Sequence, residues 1–232
     1  MVRLLPCCAL AALAALAAAC TDFATPAELT KPTILAVVAD PPVVRPGEAA
    51  TLTTIVVDAD GVLAGLPTRH ALIETYPGVA PMGALADDGG TVRYLAPDPV
   101  PTLPQGAPPL DSVQVEVDTA DGTLLALKVM AVLPTTAANP TLARLTVGDA
   151  DALAGPVTLP RGATVTLDVA SEPAAGDDAR YAWYASAGAI EYYQSTPTEL
   201  VVRDQAGPAM IYVVVRDGQG GVAWRAVAVE VQ

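Results

Sequence analysis

Thr164-Val165-Thr166-Leu167-Asp168-Val169 alternates polar and apolar side chains one for one. Successive residues of a strand point to opposite faces, so this spacing predicts a β-strand with one buried face. Val113-Gln114-Val115-Glu116-Val117-Asp118 has the same period. Around these runs the chain is punctuated by Asp60-Gly61, Gly89-Gly90, Asp121-Gly122 and Gly220-Gly221. Such dipeptides favour the tight turns of hairpins. Beyond residue 19 no window of helical length has a 3.6-residue apolar period. The composition is rich in Val, Thr and Pro, which suits strands and sheet edges.

The strands fall into two copies of about 100 residues, the size of one β-sandwich. Pro32-Thr33-Ile34 opens one copy and Pro140-Thr141-Leu142 the other. Arg45-Pro46-Gly47 precedes Ala50-Thr51-Leu52-Thr53, as Pro160-Arg161-Gly162 precedes Val165-Thr166-Leu167-Asp168. Val113 to Asp118 matches Ile211-Tyr212-Val213-Val214-Val215-Arg216. The expected fold is all-β: two tandem antiparallel sandwiches, over residues 33–139 and 140–232. Ala137-Ala138-Asn139-Pro140 joins them as a hinge or as a packed joint. Pro97 to Pro109 holds six prolines in 13 residues and is expected to be extended. It reads as a docking segment or as a stiff crossover that blunts an edge strand.

The N-terminus reads as an export signal over residues 1–19. Arg3 precedes an apolar stretch from Leu4 to Ala19, with small residues just before Cys20. Ala17-Ala18-Ala19 satisfies the rule for ordinary signal-peptide cleavage. The same residues before Cys20 resemble the lipobox of bacterial lipoproteins, which implies a diacylated Cys20 as the new N-terminus. Both readings cut before Cys20 and differ only in the lipid; two acyl chains give stable anchoring. Residues 20–32 are then expected to be a tether. Cleavage also removes Cys7 and Cys8, so the folded part has no cysteine pair for a disulfide.

The whole chain carries 12 basic and 25 acidic side chains, a formal charge of −13. Loss of Arg3 leaves −14, spread over both copies, which suits the solvation of an exported surface. Nucleic acid is excluded as a partner, because phosphate binding needs a basic surface.

Tyr181-Ala182-Trp183-Tyr184 followed by Gly188, and Tyr212-Val213-Val214-Val215-Arg216-Asp217-Gly218-Gln219-Gly220-Gly221, resemble the third strand and the closing hairpin of a PKD-type or bacterial Ig-like domain. In the first copy His70-Ala71-Leu72-Ile73-Glu74-Thr75-Tyr76 takes the place of the tryptophan strand. The resemblance implies spacing, adhesion or binding outside the membrane, without catalysis.

Candidate chemistry is sparse. His70 is the single histidine, and none of Ser112, Ser171, Ser186 and Ser195 lies in a G-x-S-x-G elbow. Asp58 with Asp60, and Asp87 with Asp88, are candidate calcium ligands, since calcium takes several loop oxygens. Their alternative is turn capping by the aspartate side chain itself. Both tryptophans and five of the seven tyrosines lie in the second copy. Trp183 is expected to fill the core. Tyr192, Tyr193 and Tyr184 are candidate ligand-binding rings, since an exposed ring can stack on a sugar or anchor a protein partner.

The sequence therefore points to a non-enzymatic cell-envelope lipoprotein. It would be held to a membrane by an N-terminal lipid and would act as a spacer or as a protein-binding or adhesion module. Its alternatives are a polysaccharide-binding module using rings of the second copy, an accessory subunit of an envelope machine, and a metal-assisted hydrolase. No cofactor is called for beyond the calcium candidates.

Overall fold

A computed structural model describes residues 26–232. Residues 1–19 and Cys20 lie outside that range, as do the signal and lipidation readings placed on them.

The first repeat forms β1 (Thr33–Asp40), β2 (Val43–Val44), β3 (Ala49–Val57), β4 (Val62–Leu63), β5 (Thr68–Ile73), β6 (Ala84–Asp87), β7 (Val92–Leu95), β8 (Leu110–Thr119) and β9 (Gly122–Val132). One sheet has the order β1-β3-β7-β6, with β4 on β3; the other has the order β2-β9-β8-β5. The second repeat forms β10 (Thr141–Val147), β11 (Ala150–Asp151), β12 (Val157–Leu159), β13 (Thr164–Glu172), β14 (Arg180–Ala185), β15 (Gly188–Ile190), β16 (Thr198–Val202), β17 (Gly207–Arg216) and β18 (Val222–Val231). Its sheets are β11-β10-β13-β16-β15 and β12-β18-β17-β14. The two orders correspond strand for strand, with β4 and β11 as extras. Pairing is antiparallel except at β2–β9 and β12–β18, which are parallel and equivalent. The correspondence extends to a register shift in the opening strand, between Ile34 and Ala36 in β1 and between Leu142 and Arg144 in β10.

Each sandwich has its own core. In the first, Val113, Val115 and Val117 are fully buried, packed with Tyr94, Met130 and Val132. Gln114 and Glu116 point the other way, as the alternation requires. In the second, Trp183 on β14 is fully buried among Leu167, Leu200, Ile211 and Val213, the core role expected for it.

A third apolar cluster lies between the sandwiches. Leu35, Ile55 and Val57 of the first pack against Ala182, Tyr212 and Val214 of the second. Hence β17 is buried on both faces: Ile211, Val213 and Val215 enter their own core, while Tyr212 and Val214 face the neighbour. Polar contacts seal the joint. The Asn139 amide donates to the Ala39 carbonyl (2.8 Å) and its oxygen accepts from the Val222 N–H (2.9 Å). Ala137 to Pro140 is a packed joint.

Two expectations are corrected. Residues 20–32 were expected to be a tether throughout, yet Ala27 and Leu29 are buried. The Leu29 N–H donates to the Ala185 carbonyl (3.0 Å) and the Ala185 N–H to the Ala27 carbonyl (2.9 Å). The cause is the outer edge of β14, which ends its sheet and offers unpaired backbone groups. Pro97 to Pro109 crosses from one sheet to the other, but a 3-10 turn at Pro104–Gly106 interrupts the extended course, with the Ala107 N–H bonded to the Pro104 carbonyl.

Candidate functional site

The loop between β15 and β16 carries Tyr192 and Tyr193 and is pinned by Trp183. The Trp183 main-chain N–H donates to the Tyr193 carbonyl (2.8 Å), and its indole N–H to the Ser195 carbonyl (2.9 Å). One tryptophan thus fills the core and fixes the loop above it. Tyr192 is 65% exposed, whereas Tyr193 is half-buried against the core. Tyr184 is also half-buried, packed against the cluster between the sandwiches. Of the three candidate rings only Tyr192 is free to meet a ligand. Tyr184, on β14, packs toward the first sandwich, and Tyr193, in the loop, packs on the second core.

The Tyr192 ring borders a groove of about 480 Å³ with Thr166, Glu191, Pro197, Thr198 and Glu199. Thr198 Oγ1 is buried without a hydrogen-bond partner. The adjoining Glu191 carboxylate pushes the Tyr192 phenol above its ordinary range. An exposed ring beside carboxylate and hydroxyl oxygens offers an apolar platform and acceptors for neutral hydroxylated ligands.

The four candidate calcium ligands are not brought together. Asp58 Oδ1 accepts from the N–H groups of Asp60 (2.9 Å) and Gly61 (3.0 Å), within the β3–β4 turn. Asp87 Oδ1 accepts from the Gly90 N–H (2.8 Å), and Asp88 pairs with Arg93 in the β6–β7 turn. Among the described residues no group of three or more His, Cys, Asp and Glu side chains is placed to hold a metal. Asp58 and Asp87 cap their turns through their own side chains.

His70 is half-buried on β5, its Nε2 buried without a partner; burial pushes its pKa down, against the raising effect of Asp87. It lines a hollow of about 300 Å³ with Thr51, Thr54, Thr68 and Thr91. Threonine is the one hydroxyl type lining that hollow, and no carboxylate lines it beside His70.

A surface the sequence did not point out lies on β9. Leu125, Leu127 and Val129 are 67%, 58% and 43% exposed on its outward face. Single exposed apolar residues are ordinary, whereas three in a row on one face make a candidate docking surface. β2 pairs with β9 only at Ala131 and Val132, so Gly122 to Met130 has no strand partner opposite β8 among the described residues.

The strand order repeated in both halves, four strands facing a three-stranded hairpin sheet with a short parallel strand at its edge, defines an immunoglobulin-like sandwich. No family model matches the chain, and neither does any curated protein. Similar solved structures are immunoglobulin arrays. A chimeric titin Z1Z2-Z1Z2 tandem is 13% identical, covering 87% of this chain and 100% of that one at a TM-score of 0.32. The N-terminal Ig1-2 module of the Drosophila receptor protein tyrosine phosphatase DLAR is 11% identical, covering 87% and 98% at 0.33. Titin domains z1z2 in complex with telethonin are 13% identical, covering 87% and 96% at 0.25. Scores this low do not superpose the chains as wholes, and the fold rests on the strand order.

Proposed function

We propose that this chain is a non-enzymatic bacterial cell-envelope lipoprotein, acylated at Cys20, whose two Ig-like sandwiches, the second of PKD type, present a rigid protein-binding surface close to the membrane. The observation that carries this reading is the packing of the two sandwiches into one body onto which the N-terminal segment folds back. With Ala27 and Leu29 docked on β14, only the six residues 21–26 separate an acylated Cys20 from the body. Six extended residues span at most ~20 Å, so the body would sit against the membrane surface and not on a long leash.

A clickable fatty acid fed to cells tests the anchor. Label on the wild-type protein and none on Cys20→Ala, which shifts to the soluble fraction, supports it. An unlabelled protein whose Cys20→Ala form fractionates identically sinks it.

A second reading, polysaccharide binding, is favoured by the exposure of Tyr192 beside its groove. A glycan-array signal lost in Tyr192→Ala supports it; a signal unchanged by that substitution, or a blank array, removes it.

A further inference from the structure

A cleft of about 340 Å³ opens between the sandwiches, bordered by β1, β9, the Gly218–Gly221 turn, Arg180 and Arg216. It is a basic place in an acidic protein. Among the described residues Arg45, Arg69, Arg93 and Arg144 form ion pairs; seven cations do not, Lys128, Arg180 and Arg216 among them. These three line the one cleft. They bond only to carbonyls: Lys128 Nζ to Gly220 (2.6 Å), Arg216 Nη2 to Leu35 (2.7 Å) and Arg180 Nη1 to Ala179 (3.0 Å). A lysine has three donors and an arginine five, so most of their capacity is unspent.

Lys128 is 7% exposed. A buried ammonium bonded to one carbonyl is costly, and an incoming carboxylate would relieve that cost. Arg216 opposes its charge and Asp217 supports it, but Asp217 Oδ1 is already taken by the N–H groups of Gln219 (2.7 Å) and Gly221 (2.8 Å). The free edge of β9 runs into the same cleft, where Ala126 to Val129 form one wall. An unpaired strand edge binds extended peptide by adding a strand, and alternate side chains then decide specificity.

We propose that this cleft binds a carboxylate, and that the carboxylate belongs to an acidic side chain of an extended peptide laid along the free edge of β9. The Leu125, Leu127 and Val129 row flanks that path, and the three cations select an acidic residue. The negative charge elsewhere on the protein repels an acidic peptide from other edges. This deepens the protein-binding reading above and does not depend on the lipid anchor.

The test uses the chain from residue 21 onward, which holds every described residue, followed by amide NMR shifts. The probes are a capped peptide alternating serine and valine around one aspartate, the same peptide with asparagine, and sodium acetate. The expected result is roughly tenfold tighter binding of the aspartate peptide than of the asparagine peptide. Shifts should span residues 124–130 together with the cleft. Arg180→Gln, an exposed position, should reduce the aspartate peptide to the asparagine level, while Arg161→Gln, outside the cleft, should not. Equal binding of the two peptides, or no shift in the cleft with any probe, overturns the proposal. Shifts confined to the cleft with acetate and peptide alike mean a free-anion site only, and overturn it too. None of these failures touches the acylation of Cys20, which the fatty-acid label reads separately.

Discussion

The Tyr212 phenol, on β17 of the second sandwich, donates a 3.0 Å hydrogen bond to the main-chain carbonyl of Asp58 in the first. The ring is fully buried in the cluster between the two sandwiches. Tyr212→Phe should keep the packing and cost about 1 kcal/mol, the usual net worth of one hydrogen bond. Val214→Asp puts a charge into the same apolar joint with no partner and should cost about 3–5 kcal/mol. Chemical denaturation of the two variants checks the pair. Equal, negligible effects would mean that the face is solvated.

The first core has no tryptophan and holds a buried polar knot instead. Tyr94 donates to Asp111 Oδ2 (2.7 Å), and Asp111 also accepts from the N–H groups of Met82 (2.9 Å) and Gly83 (2.7 Å). Burial is the leading cause that pushes the Tyr94 phenol up, with Asp111 adding to it. Asp111→Ala leaves three donors without an acceptor and should cost about 3 kcal/mol, whereas Tyr94→Phe should cost about 1–2 kcal/mol. Urea midpoints of the two variants in the wrong order would contradict this account.

Stability should rise as the solution is made mildly alkaline. Burial pushes Lys128 down to about 8. Above that pH the native state sheds a proton that the unfolded chain keeps until near its ordinary lysine value. Unfolding therefore becomes harder between about pH 8 and 9.5, by roughly 2 kcal/mol at most. The tyrosines then act in the opposite sense. Tyr212 is pushed up to about 12 and Tyr94 is also raised, so the stability each adds is lost as the pH climbs from 10 through its folded value. Urea midpoints at pH 7.0, 8.5 and 9.5 should climb in the wild type and stay level in Lys128→Met.

Adjacent aromatics of the second sandwich should behave very differently. Trp183→Ala empties a fully buried site and frees the loop it pins, at a cost of about 3–5 kcal/mol. Tyr192→Ala should stay within about 0.5 kcal/mol, since the ring stands in solvent. Thermal melts separate the two.

The all-β architecture and the repeat were legible because alternation and turn dipeptides are local. The joint between the sandwiches was left open as a hinge or a packed joint, although the sequence carries a subtle signal of it. Val113 to Val117 alternates, while Ile211 to Val215 is apolar without a break, and an unbroken strand needs cover on both faces. Tyr184 belonged to the same pattern, with Ala182 beside it on the covered face. Ala27 and Leu29 were harder, because two small apolar residues among polar ones do not announce a docked segment. The cleft was not legible at all. Lys128, Arg180 and Arg216 are distant in sequence and meet only because the sandwiches pack against each other. Tyr192 and Tyr193 had to differ in exposure, but which ring was free depended on the hydrogen bonds of Trp183.

The union of the two sandwiches into one body is the claim on which the rest stands. Both tryptophans lie in the second sandwich, Trp183 in its core and Trp224 against the joint, so fluorescence reads that half and the joint, while hydrogen exchange at Val113 to Val117 reads the first. Urea unfolding followed by both probes should give one coincident transition, which Val214→Asp splits in two. Separate transitions in the unaltered chain would contradict the account.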